Sequence, residues 1–89
     1  KLREVKKAFN TKNEQRYGTM LNALEFALVE KGLNLENVTK ANLQNAYGNP
    51  IGNEIYRLIE NCNLAQYAPL STSNDDSNMN AFIEIWRTI

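Results

Sequence analysis

Apolar residues recur at intervals of three and four along nearly the whole of this chain. Nowhere do they alternate with polar ones over a run long enough to mark a β-strand. That pattern restricts the fold to helices that each bury one stripe. The clearest stripe is Ile51, Ile55, Leu58, Ile59, Cys62 and Ala65, with Glu54, Arg57, Glu60 and Asn61 off it, and Ala68-Pro69 is expected to close that helix. A second stripe is Tyr17, Leu21, Leu24 and Leu28, broadened by Met20, Ala23, Phe26 and Ala27. Asn13 is the expected cap of this second helix and Gly32 its stop, and its length predicts a central position.

Shorter elements fill the rest. Leu2, Val5, Ala8 and Phe9 predict a brief first helix that stops at residues 10–13, whose side chains compete for backbone hydrogen bonds. Leu33, Leu35 and Val38 follow in an irregular connection suited to plugging the end of a core. Thr39 then caps a short helix with Leu43, Ala46 and Tyr47, which Gly48-Asn49-Pro50 ends. The polar run 71–80 reads as a loop in which Asp76 or Ser77 caps a last helix bearing Met79, Phe82, Ile83, Trp86 and Ile89. The expected fold class is therefore all-α: a small antiparallel helical bundle of about four main helices plus one short helix, joined by short connections. Eighty-nine residues suffice for one core, so residues 1–89 are read as a single domain. The chain starts at Lys1 and ends directly behind Trp86 in an apolar segment, which suggests a fragment of a larger protein.

Charge narrows the partners. Ten basic and ten acidic side chains cancel, so no overall field draws the chain to nucleic acid. The distribution is uneven: the first sixteen residues carry a net +4 and the remainder a net −4. The first helix is thus a basic face, either a solvated surface or a segment lying close behind a membrane anchor on its cytoplasmic side. No apolar run approaches the ~20 residues of a membrane span, so the chain itself reads as soluble.

Several chemistries lack their residues. There is no His, which removes Ser-His and Cys-His nucleophilic arrangements. Cys62, the single cysteine, sits on an apolar stripe where a thiol is a small hydrophobe, and it has no partner for an internal disulfide. Glu25, Glu54, Glu60 and Glu84 fall on polar faces beside Lys, Arg or Asn. Asn74, Asp76 and Asn78 resemble the start of a calcium loop, but Met79 and Ile85 occupy its glycine and bidentate-glutamate positions. The glycines are isolated, and Gly32, Gly48 and Gly52 fit helix ends, so no phosphate loop is formed. Asn37-Val38-Thr39 matches a glycosylation sequon, though with this much Asn about one such match is expected by chance. The expectation is no enzyme activity, no cofactor and no metal. Tyr56, beside Arg57 at the edge of its stripe, and Tyr67, at the helix end before Pro69, are the aromatic rings best placed for contact.

The order of landmarks carries a resemblance. The segments Leu2-Arg3-Glu4-Val5-Lys6-Lys7-Ala8-Phe9, Leu21-Asn22-Ala23-Leu24-Glu25-Phe26-Ala27-Leu28, Lys31-Gly32-Leu33-Asn34, Val38-Thr39-Lys40-Ala41-Asn42-Leu43 and Ile59-Glu60-Asn61-Cys62-Asn63-Leu64-Ala65-Gln66-Tyr67-Ala68-Pro69 look like the C-terminal cytoplasmic region of BatD, the aerotolerance (oxygen tolerance) family of Bacteroides and its relatives. The likeness spans about Leu2 to Pro69. It departs from the family pattern at Asn63, Gln66 and Tyr67, which stand for an acid, an arginine and a Phe. The first two helices also resemble a tetratricopeptide hairpin, but the repeat does not recur.

The resemblance implies a non-enzymatic protein–protein interaction domain, a scaffold piece of a membrane-anchored protein, placed at the cytoplasmic face of the inner membrane. The implied partners are a MoxR-type ATPase or von Willebrand A-type Bat proteins rather than nucleic acid. The expected contact residues are Arg3, Lys6 and Lys7 on the basic helix, with Tyr56 and Tyr67. The alternative is a small nucleic-acid-binding helical domain using the same basic helix, against which the zero net charge counts.

Overall fold

The computed structural model describes residues 1–67 and 74–89, with the backbone alone at Tyr67. Five helices follow one another: α1 (Leu2–Asn10), α2 (Arg16–Val29), α3 (Lys40–Tyr47), α4 (Ile51–Tyr67) and α5 (Asp75–Thr88). They form a small all-α bundle with α3 as its short member. Their stripes meet in one apolar core that includes Val5, Tyr17, Met20, Leu24, Leu28, Leu43, Ile55, Leu58, Cys62, Phe82 and Ile85.

The local rules for starting and stopping helices operate as the side chains dictate. The Thr39 hydroxyl accepts a hydrogen bond from the Asn42 amide at 3.1 Å, supplying one of the partners that the first turn of a helix lacks. At the end of α2 the Gly32 amide donates to the Val29 carbonyl and the Leu33 amide to the Leu28 carbonyl. This paired closure needs a left-handed residue, and Gly32 provides it with φ 74°. Leu33 then folds back onto the core, joined there by Leu35 and Val38. Gly48, with φ 80°, ends α3, and the Asn49–Pro50 peptide that follows is cis.

Four expectations are corrected. Asn13 does not cap α2. Its side chain accepts from the Gln15 amide at 2.8 Å and shapes the turn ahead of the helix, which begins at Arg16. The segment 75–80 is helical rather than loop, because Asn74 caps α5 by accepting from the Ser77 amide at 3.3 Å, so neither Asp76 nor Ser77 is the cap. The central place belongs to α4, which packs against α2, α3 and α5, whereas α2 packs against α1 and α4. Gly52 is one reason. A side chain there would put its Cβ 2.6 Å from backbone atoms of Leu43 and Gln44, so only glycine lets α3 lie this close on α4. The fourth correction concerns Phe26. It belongs to the broadened α2 stripe, yet it is 54% exposed. The apolar residues of α2 wrap further around the helix than α1 and α4 cover. The expected closure at Ala68-Pro69 lies outside the described residues.

Candidate interaction surfaces

On α1, Val5, Ala8 and Phe9 recur on one side and are buried, which turns Arg3, Lys6 and Lys7 outward on the other. All three are exposed. Among the described residues the one ion pair joins Arg16 and Asp75, so these three cations hold no carboxylate within 4.0 Å. Helix electrostatics do not account for all of them. Lys7 in the last turn suits the negative C-terminal end, but Arg3 in the first turn opposes the positive N-terminal end and is offset only by Glu4.

Tyr56 is half-buried and packs against the core from α4. Its helix lies on α2, α3 and α5, whereas α1 lies on α2 and α5. The structure therefore places Tyr56 and the basic face on different elements, α4 and α1. The Tyr67 side chain lies outside the described residues.

A polar network that spacing alone does not announce joins three helices. The Asp75 carboxylate accepts from Arg16 Nε at 2.8 Å and from the Tyr17 hydroxyl at 2.5 Å. The Tyr17 oxygen in turn accepts from the Asn78 amide nitrogen at 3.0 Å, and Asn78 Oδ1 accepts from the Asn61 side chain at 3.2 Å. Asn78 is the buried polar residue of this set, and its amide is satisfied on both sides. The network locks the start of α5 to α2 and α4. Its donors and acceptors satisfy one another, which is the arrangement of a structural strut.

Cys62 lies fully buried on α4 with its sulfur 3.5 Å from that of Met20. Burial pushes its thiol up to about 12, so the nucleophilic thiolate is suppressed. No group of three or more His, Cys, Asp or Glu that could hold a metal ion occurs among the described residues. No described helix is long and apolar enough to cross a membrane.

The exposed apolar surface that periodicity missed surrounds Phe26. Its ring stands between two depressions. One, of about 260 Å³, is lined by Phe26, Ala27, Glu30, Trp86 and Ile89. The other, of about 440 Å³, is lined by Asn22, Glu25, Val29 and Glu30 with Lys1, whose ammonium sits 5.0 Å from the centre of the Phe26 ring. Val29 is 60% exposed. A signal for this surface existed in the sequence: α2 is apolar at more positions than a single stripe needs.

Comparison with models of protein families, with curated proteins and with solved structures finds no match in any of the three.

Proposed function

We propose that this domain is a non-enzymatic protein–protein interaction module, a scaffold piece of a BatD-like aerotolerance protein, which engages its partner through the outward face of α1. The observation that carries the reading is the set Arg3, Lys6 and Lys7: three exposed cations on one helix face, none of them paired. An unpaired cationic face of this size is available to an acidic partner, and rim charges of this kind set association rate and partner choice more than raw affinity. The likeness of the sequence to the BatD C-terminal region supplies the rest of the proposal. The domain then works at the cytoplasmic face of the inner membrane, with a MoxR-type ATPase or von Willebrand A-type proteins as partners.

Affinity capture from membrane extracts of the source cell, with the domain as bait and mass spectrometry as readout, tests this. Recovery of the ATPase or the von Willebrand A-type proteins, abolished by Lys6→Glu with Lys7→Glu, is the expected result. Capture of neither protein, or capture indifferent to the two reversals, would sink the proposal.

A further inference from the structure

A second surface, separate in position and opposite in charge from the outward face of α1, has a chemistry of its own. Helices α2 and α5 each pack on α1 and on α4, but they do not pack closely on each other. Held apart in this way, the C-terminal parts of the two helices leave a groove between them, with Phe26 and Glu30 on one wall and Trp86 and Ile89 on the other. The residues sit one helical turn apart on each wall, the spacing at which side chains stack along a helix face. Phe26 at 54% and Ile89 at 44% are two of the four exposed large apolar side chains among the described residues.

The rim gives the groove a sign. Glu30 lines this groove and has no cation within 4.0 Å among the described residues, whereas Glu25 and Val29 line the neighbouring depression on the Lys1 side of Phe26. The Phe26 ring already accepts one cation, the Lys1 ammonium, over its face. An occupant of this groove must therefore offer apolar side chains to Phe26, Trp86 and Ile89 and positive charge to Glu30. An acidic segment would meet the Glu30 carboxylate.

We propose that the groove between α2 and α5 is a docking site for a basic amphipathic helix of a partner protein, with a large apolar residue seated beside Phe26 and a Lys or Arg one turn away on Glu30. This is the helix-in-groove mode of recognition, in which apolar anchors at helical spacing give affinity and flanking charges give orientation. The site does not depend on the α1 face, so it stands or falls separately from the function proposed above.

Trp86 is the single tryptophan of the chain and lines the groove, so its fluorescence reports occupancy directly. The probes are two synthetic helical peptides, one patterned from Leu and Lys and the other from Leu and Glu. The Leu/Lys peptide is expected to shift the Trp86 emission saturably, and the Leu/Glu peptide to leave it unchanged. Phe26→Ser weakens the Leu/Lys peptide by roughly tenfold or more, the effect of losing one well-seated anchor, and Glu30→Lys reverses the preference between the two peptides. Both positions are exposed, so circular dichroism of the variants matches the parent. Equal response to both peptides, or a response that survives both variants, overturns the proposal. Concentration-dependent dimerisation in sedimentation that Phe26→Ser abolishes also overturns it, by assigning the groove to a second copy of the chain.

Discussion

Gly52 and Cys62 show how much a single position decides in a domain of this size. At Gly52, helix propensity alone favours Ala by about 1 kcal/mol. Against that stands a Cβ placed 2.6 Å from the backbone of Leu43 and Gln44, atoms that cannot swing aside as a flexible side chain would. Overpacking of this kind costs roughly 1–3 kcal/mol, so the clash wins. Gly52→Ala is expected to lower the urea midpoint without changing the slope, and a variant as stable as the parent would show that α3 does not lie this close. At Cys62 burial raises the thiol to about 12 against an ordinary 9.0, so the unfolded chain releases its proton at lower pH than the folded one. Between about 9 and about 12 the unfolded state binds fewer protons, and stability falls as pH rises through that window. At pH 8 a disulfide reagent is expected to label native Cys62 at under about one hundredth of the rate of the urea-unfolded chain. Fast native labelling would place the thiol at the surface.

Among the elements, α5 depends most on a contact that sequence distance conceals. Its first residue, Asp75, is held by Tyr17 from 58 positions earlier, and Tyr17 also serves Asn78 one turn into the helix. Tyr17→Phe keeps the ring and its edge-on contact with Phe9 at 5.0 Å but removes the oxygen that both residues use. Leaving the amide of a buried Asn without its acceptor costs roughly 1–3 kcal/mol. Hydrogen exchange is expected to accelerate selectively over Asp75–Thr88 while α3 keeps its protection. Uniform acceleration would mean the network has no local role. The helix ends were legible beforehand wherever one residue suffices to make them, as with Thr39 as a cap and Gly32 and Gly48 in left-handed turns. The start of α5 was not legible in this way. Asn74, Asp76 and Ser77 are all competent caps by residue type, and what selects Asn74 is the docking of Asp75 onto Arg16 and Tyr17, a tertiary fact. Phe26 was misplaced for a related reason. Periodicity tells which residues are apolar, and only the packing of α1 and α4 on α2 tells which of them stay uncovered.

For the molecule as a whole, stability and recognition draw on different forces. The core is a single apolar cluster, and the ion pair among the described residues, Arg16–Asp75, is only partly buried. Exposed charges contribute little to folding, with the median surface pair worth about 0–1 kcal/mol. The charges are nonetheless segregated along the chain, +4 in the first sixteen residues and −4 in the rest, and the two candidate surfaces inherit opposite signs, cationic on α1 and bearing the Glu30 carboxylate between α2 and α5. Salt should therefore separate the two properties. Raising NaCl from about 0.05 to about 0.5 M shortens the screening length from roughly 14 Å to roughly 4 Å. The unfolding free energy from urea titration is expected to move by less than about 1 kcal/mol over that range, because apolar burial is not screened. Relief of repulsion between Arg3 and Lys7, four apart on α1, offsets part of what the Arg16–Asp75 pair loses. Binding of a basic amphipathic peptide to the groove weakens over the same range, since Glu30 is exposed to solvent at its rim. A domain that loses stability in step with affinity would owe its fold to the same carboxylate it presents, and the assignment of Glu30 to recognition alone would then fail.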